Sequence, residues 1–248
     1  MTWRDYLSNY HNDRPAITER LLALASASPY LWMAQALRDT ADPVLDLACG
    51  SAPTRPLMPG RSWIGLDSSP AELGSAAHAG RRPLVQADAA ALPIATGSVG
   101  SVCAAMCLQV LTPLPVVLNE ISRVLRPGGA LVAMVPARPS RRLAGLIGWG
   151  RVMATLRVRR LEFPNPQAMD GLAATLREHG FLIQHSQRRE FLLSITSTED
   201  VQLLIDGLYL PDVSRARIHA AKQKLQPWAA TGQLLPIALR TVVAQPPD

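Results

Sequence analysis

Apolar positions in this chain follow two different periods. Through the first forty residues they recur three and four apart, in AITERLLALA, where Pro15 suits the first helical turn, and again in SPYLWMAQALRD, which predicts helices. After Asp42 the runs shorten. PVLDLA, SWIGLD, PLVQAD, SVCAAM and GALVAMV are each bounded by Gly, Pro, Asp or Ser, the pattern of buried strands. Helix-like pieces separate several of them, notably SPAELGSAAHA and LPVVLNEISRVLRPGG. The second is expected to close on a left-handed C-cap at Gly128-Gly129. Beyond Pro139 the pattern predicts a helix through MDGLAATLREHG, a strand over FLIQHSQRREFLLSI, a helical stretch from about Thr198 to Trp228, and a last strand in ALRTVVAQ.

Strands that are apolar throughout and alternate with helices predict a parallel sheet covered on both faces, a doubly wound α/β fold. A chain of 248 residues, 48% hydrophobic, suits one domain. Its expected parts are an N-terminal helical lid over 1–42, a ligand-binding core over 43–137, and helical insertions with the last strands over 138–248. The longest uncharged run, 89–119, is cut by Pro93, Gly97, Gly100, Pro113 and Pro115, so it reads as a buried strand with its loops rather than a membrane span. Charges at Arg4, Asp5, Asp13, Arg14, Glu19 and Arg20 exclude an apolar signal core there, and a cytoplasmic location is expected. Cys49, Cys103 and Cys107 have neither metal-ligand nor disulfide spacing and are expected in the core, so no metal site is predicted. A net charge of +6 and a pI near 9.8 suit anionic partners without choosing among them.

In an open parallel sheet, ligands bind beyond the carboxyl ends of the strands. The first such end is VLDLACGSAPTRPL. Small residues at Ala48, Gly50, Ser51 and Ala52 let the backbone approach a ligand closely after Asp46. A dinucleotide fingerprint needs G-x-G-x-x-G and a helix N-terminus for the pyrophosphate; only Gly50 is present, and Pro53, Pro56 and Pro59 curtail the helix. That disfavours an NAD-dependent oxidoreductase. The second strand ends WIGLDSS at Asp67, where a carboxylate can accept both hydroxyl hydrogens of a ribose, while Ser68 or Ser69 is the better helix cap. The third ends QADAAALP, so Asp88 can accept from an adenine amino group and the Ala89 N–H can meet a ring nitrogen.

Together VLDLACGSA, GLDSS, ADAAALP and RVLRPGGALVAMVP resemble the class I S-adenosylmethionine-dependent methyltransferases of small-molecule type, over about Pro43 to Pro136. The resemblance implies a seven-stranded, mostly parallel Rossmann-like sheet with helical insertions over its C-terminal edge. It also implies S-adenosyl-L-methionine as cofactor and methyl transfer to an O, N or C nucleophile of a small molecule. By the same resemblance the Asp46 to Ala52 turn, with Ala48, Cys49 and Gly50, holds the methionine part, Asp67 the ribose, Asp88 and Ala89 the adenine, the Ala105-Met106 strand end lies beside the sulfonium, and Ser68 belongs to the cofactor site. The chain departs from the family at Ala48 and Ala52, where glycine is usual, at Gly100, where aspartate is common, and near Gln109, where histidine often follows the fourth strand. A left-handed conformation at Ala52 would cost on the order of 1 kcal/mol, so Pro53 is expected to reroute the loop.

Tyr10 and His11 precede a helix that in this family folds over the pocket, which makes His11 a candidate base. A sulfonium is already a good leaving group, so positioning does most of the work and a base is optional. Glu190 and Tyr209 are candidates for the pocket wall. From Arg138 to Arg160 there are seven arginines and no acid before Glu162, with Leu143, Leu146, Ile147, Gly150, Met153 and Ala154 at helical spacing. This predicts an amphipathic helix with a cationic face, either simply solvated or set against an anionic or lipid-like acceptor or a membrane surface. Sequence-specific nucleic-acid binding is not expected, because aromatics are not interleaved there and the fourth strand ends AAMCLQ rather than Asn/Asp-Pro-Pro-aromatic. An RNA- or protein-directed methyltransferase and a non-catalytic S-adenosylmethionine-binding protein are the alternative readings.

Overall fold

The computed structural model describes residues 2–138 and 143–247. Three helices come first, α1 (Trp3–Asp13), α2 (Ile17–Ala23) and α3 (Pro29–Ala36). The alternating core follows as β1 (Val44–Leu47), β2 (Trp63–Asp67), α4 (Pro70–His78), β3 (Leu84–Gln86), β4 (Val99–Ala105), α5 (Leu114–Val124) and β5 (Leu125–Ala137). Then come α6 (Leu143–Leu156), α7 (Leu172–Glu178), β6 (Leu182–Ile195), α8 (Thr198–Asp206), α9 (Arg215–Ala229) and β7 (Gln233–Gln245).

One seven-stranded sheet results, in the order β3-β2-β1-β4-β5-β7-β6. Neighbours from β3 to β5 pair in parallel, and β7 runs antiparallel between β5 and β6. Alternate residues of the central strands feed two cores. Leu45, Val102, Leu131 and Ala133 pack with α5 and α7 on one face; Val44, Cys103, Val132 and Met134 pack with α3 and α4 on the other. All four residues of β1 are buried, as expected of a strand covered on both sides. A third core, with Val152, Leu193, Leu204, Leu225 and Leu235, lies among α6, α8, α9 and the ends of β6 and β7. Strand order reverses between β1 and β4, so a crevice opens beyond their carboxyl ends.

The doubly wound sheet follows the sequence reading; several local details do not. Helix α5 stops at Val124 with an extended Leu125, four residues short of the glycine pair, because Pro127 disfavours a helical Arg126; Gly128, at φ +73°, instead turns the chain within β5. Pro15 lies outside α2, whose N-cap is a left-handed Ala16. Tyr10 and His11 stand ahead of α2 as expected, and themselves lie within a further helix, α1. Residues 207–214, which include Gly207 and Pro211, split the stretch after Thr198 into α8 and α9.

The faces of α6 are also the reverse of the expectation. Val152 and Leu156 are fully buried, Gly145 abuts Pro236, and Trp149 Nε1 donates to the Pro236 carbonyl at 2.6 Å. Leu146 and Ile147 are 48% and 63% exposed, and Gly150 and Ala154 are exposed too. Both sides of α6 are apolar, and packing against β7 selects the side that Gly145 makes flat. Arg141 and Arg142 lie outside the described residues. Among the described residues, no helix is long and apolar enough to cross a membrane.

Candidate functional site

A cavity of about 360 Å³ sits over the carboxyl ends of β1, β2, β3 and β4, within the usual range of small-molecule sites. The structure brings every residue of the predicted cofactor set to it: Asp46, Ala48, Cys49, Gly50, Asp67, Ser68, Asp88, Ala89 and Met106. His11 joins them from α1, and Tyr209 from the loop between α8 and α9. Glu190 is not part of this wall; it lies on β6, 3.9 Å from Arg188.

The turn after β1 keeps the shape of a glycine-rich loop without the glycines. Ala48, Gly50 and Ala52 all have positive φ, at 49°, 56° and 56°. Pro53 therefore does not reroute the chain, contrary to expectation. The path is held by Cys49 N–H to Leu66 O at 3.0 Å, Ala52 N–H to Cys49 O at 2.8 Å, and Gly50 N–H to Asp67 Oδ2 at 2.8 Å. Ala48 lines the cavity, where its methyl group takes little room, whereas Ala52 is fully buried in the core. Gly100 has a different reason: a Cβ there would stand 2.5 Å from the Ala41 carbonyl, so no larger side chain fits.

Each strand-end acid is held in a different way. Asp67, 9% exposed, accepts Gly50 N–H on Oδ2 and Ser69 N–H on Oδ1 at 2.9 Å. Burial pushes its carboxyl up, and those two backbone donors oppose the rise. Ser69 is the cap of α4, leaving Asp67 to the cavity. Asp46 accepts a hydrogen bond from Thr54 on Oδ2, and the Cys103 thiol and Trp63 indole are further donors to its carboxyl. Burial raises the Asp46 carboxyl to about 7, the Thr54 bond working against it. Asp88 accepts Ala90 N–H at 2.9 Å and pairs with Arg4 of α1 at 2.8 Å. Met106, at φ +58°, turns the end of β4, and its carbonyl accepts from Gln109 Nε2 at 2.7 Å.

Residues 45–133 match the family described as a methyltransferase domain, over the strands and loops that build this cavity. Residues 45–133 are thus a methyltransferase domain of the class I S-adenosylmethionine-dependent type. Over 118 residues it is 42% identical to malonyl-(acyl-carrier protein) O-methyltransferase of Alcanivorax borkumensis, covering 44% of this chain and 39% of that protein. Over 137 residues it is 36% identical to demethylmenaquinone methyltransferase of Mycolicibacterium paratuberculosis, covering 54% of this chain and 59% of that protein. The chain thus spans less than two thirds of either relative. Among solved structures, Haemonchus contortus phosphoethanolamine N-methyltransferase 2, in complex with S-adenosyl-L-methionine, superposes with a TM-score of 0.57 at 15% identity, covering 100% of this chain and 60% of that one. At that identity the likeness is one of fold.

The site of the methyltransferase domain fits the cationic cofactor of its family on its own geometry. Its walls carry Glu19, Asp46, Asp67, Glu72 and Asp88 against Arg4 and His11, an acid excess that suits a sulfonium and an ammonium. Asp46 adds a fully buried carboxyl to this wall, with the Thr54 hydroxyl, the Cys103 thiol and the Trp63 indole as its neighbouring donors. The three cysteines are buried and free, and burial pushes their thiols up, so they line or underlie the site without being nucleophiles.

The elements outside the matched family region roof this domain. Tyr10 Oη donates to the Asp206 carbonyl at 2.6 Å, and Tyr6 Oη accepts Leu210 N–H at 2.7 Å, tying α1 to the loop that carries Tyr209. Arg81 donates to both oxygens of Glu19 and to the Ser51 carbonyl at 2.7 Å, which ties α2 to the turn after β1. Sequence reasoning passed over Arg4, Glu19, Glu72 and Arg81. Their partners lie between 30 and 108 residues away, and no local pattern announces such pairs. Glu72 is the exception, since a buried acid on the first turn of α4, five residues after Asp67, could have been read as facing the same site.

Proposed function

We propose that the protein transfers the methyl group of S-adenosylmethionine to a nucleophile on a small molecule. The observation that carries this reading is the convergence of Asp46, Asp67 and Asp88 on one acid-walled cavity around a left-handed turn of small residues. In this reading the turn from Asp46 holds the methionine part, Asp67 the ribose, and Asp88 with Ala89 the adenine. When bound, the cofactor supplies a methyl on a sulfonium that leaves as a neutral thioether. The chain's own contribution is to align the acceptor beside Met106 and to keep water out with α1 and the Tyr209 loop. Residues 1–42 act as lid, 43–137 as cofactor-binding core, and 138–248 as the part that sets acceptor choice.

The two relatives, a malonyl-(acyl-carrier protein) and a demethylmenaquinone methyltransferase, support an acceptor that is small or presented as a small group. The exposed Leu146 and Ile147 beside Arg151 on α6 support contact with an anionic, lipid-like surface, by which such an acceptor would be reached. Calorimetric titration with S-adenosylhomocysteine, followed by transfer of labelled methyl from S-adenosylmethionine into cell extract, tests the reading. Binding with label in small molecules is expected. Label confined to RNA or to protein side chains, rather than to a small group carried on a protein, or binding with no transfer, would replace it with one of the two alternatives.

A further inference from the structure

His11 occupies the middle of a chain of three side chains that all line the cavity. Its Nδ1 lies 2.9 Å from Glu72 Oε1 and its Nε2 lies 3.1 Å from Tyr209 Oη. Glu72, only 3% exposed, also accepts Ala16 N–H on Oε2 at 2.9 Å. Both ring nitrogens of His11 are thus engaged, and the ring does not face an acceptor directly.

The tautomer follows from the partners. A carboxylate has no hydrogen to offer, so His11 Nδ1 carries the proton and gives it to Glu72, which leaves Nε2 as a lone-pair acceptor. The hydrogen on Nε2's side must then come from the Tyr209 hydroxyl. With its one hydrogen turned toward His11, Tyr209 Oη presents only lone pairs elsewhere. Tyr209 also lines a second cavity, of about 510 Å³, with Val158, Arg159, Leu210 and Val213. Tyr209 therefore belongs to the walls of both spaces.

We propose that Tyr209 is the catalytic residue that receives the acceptor's proton, with Glu72 and His11 as positioning residues, and that the acceptor is accordingly a hydroxyl or amine carrying a hydrogen. The proposal rests on the methyltransferase reading above. The acceptor's O–H or N–H donates to Tyr209 Oη. As the acceptor atom gives its electron pair to the methyl carbon and the carbon–sulfur pair returns to sulfur, the acceptor's proton passes to Tyr209 Oη. The phenol's own proton passes to His11 Nε2, forming an imidazolium next to the Glu72 carboxylate. Burial and the charge of Glu72 push the Tyr209 phenol up, so it hands one proton on as it takes another and never stands as a free phenolate. A carboxylate acceptor would bring oxygen lone pairs against oxygen lone pairs at Tyr209 and is selected against.

Histidine-labelled protein, observed by long-range proton–nitrogen NMR at pH 8, tests the tautomer without cofactor or acceptor. The His11 signals, assigned by their loss in His11→Gln, are expected to show a protonated Nδ1 and a bare Nε2, and Tyr209→Phe is expected to shift Nε2 alone. A protonated Nε2, or one indifferent to Tyr209→Phe, overturns the proposal. The second arm uses labelled S-adenosylmethionine with cell extract. Label is expected in base-stable ethers or methylamines, with kcat about a hundredfold lower in Tyr209→Phe and the KM for S-adenosylmethionine unchanged. Label in base-labile methyl esters, equal rates in the variant, or no label from protein that binds S-adenosylhomocysteine also overturns it. Failure to bind S-adenosylhomocysteine strikes the methyltransferase reading instead, while the NMR result stands by itself.

Discussion

Arg4, one residue into the first helix, is ion-paired with Asp88 at the end of the third strand, 2.8 Å apart. The same guanidinium reaches the Thr112 carbonyl at 3.4 Å, and the other Asp88 oxygen is taken by Ala90 N–H. The roof is therefore fastened to the acid proposed to meet the adenine amino group, and a nucleoside entering there must share or displace Arg4. Both side chains are about half exposed, so the pair contributes no more than about 1 kcal/mol. Arg4→Ala is expected to raise the association rate of S-adenosylhomocysteine by up to about fivefold, and added salt should do the same to the wild type. Stopped-flow fluorescence measures both; rates that ignore the substitution and the salt would rule out the fastening.

Asp67 joins the two halves of the cofactor site, because its oxygens receive Gly50 N–H and Ser69 N–H. Replacing it removes the proposed ribose acceptor and also leaves two backbone donors without their partner. Asp67→Asn keeps the shape and loses charge, and is expected to weaken S-adenosylhomocysteine by about 10- to 100-fold. Asp67→Ala should bind more weakly still. Calorimetry gives the affinities, and a variant that binds like the wild type would remove Asp67 from the site.

The buried Asp46 ties ligand binding to pH. Its carboxyl is raised from 3.8 to about 7, first by burial, so the folded state holds a proton between those values that the unfolded chain releases. The contribution of Asp46 to stability is therefore full below about pH 4, falls as pH rises toward 7, and is flat above. Asp46→Asn lacks this slope and is expected to gain on the wild type between pH 5 and pH 8, by about 2 kcal/mol. A cationic ligand beside Asp46 favours the ionised form, so wild-type affinity should rise with pH through 7 and binding at pH 6 should release protons. Urea melts at the two pH values, with calorimetry in buffers of different ionisation enthalpy, decide both.

The strand ends were readable in the sequence because each strand is short, apolar and closed by an acid or a small residue: Asp46, Asp67 and Asp88 reach the cavity from local pattern alone. The roof was less legible. His11 stood out as a titratable residue, but Glu72 and Tyr209, 61 and 198 positions away, determine what its two nitrogens can do. Helix α6 misled for a different reason. With apolar residues on both sides, its periodicity cannot say which side is buried, and Gly145 against Pro236 decided the matter. The end of α5 was set by Pro127, a stronger local constraint than the glycines that follow.

The alanines of the turn after β1 allow a graded test of strain. Ala48 at φ 49° costs on the order of 1 kcal/mol, and glycine would relieve that while adding chain entropy of similar size to the unfolded state. Ala48→Gly is therefore expected to change stability by less than about 0.5 kcal/mol and to leave S-adenosylhomocysteine binding intact. Ala48→Val puts a β-branched side chain at a positive φ and into the cavity, and should cost about 2 kcal/mol with a loss of binding. Chemical denaturation and calorimetry on the pair decide whether conformation or size limits this loop; a well-tolerated valine would show that neither does.

Helix α6 offers the last measurement. Leu146 and Ile147 are 48% and 63% exposed, while the opposite side of the helix is fixed by Val152, Leu156 and Trp149. Exposed aliphatic side chains next to Arg151 suit the boundary between anionic head groups and acyl chains, where about 25 cal/mol per Å² of apolar area is recovered on insertion. Ile147→Glu replaces an apolar contact with a like charge to the lipid and leaves the buried side untouched. It is expected to lower co-sedimentation with phosphatidylglycerol vesicles at least tenfold, with no change in melting temperature. Arg151→Glu should act in the same direction, and its effect should fade in high salt where that of Ile147→Glu persists. Equal sedimentation of wild type and both variants would mean that this side of α6 is only solvated.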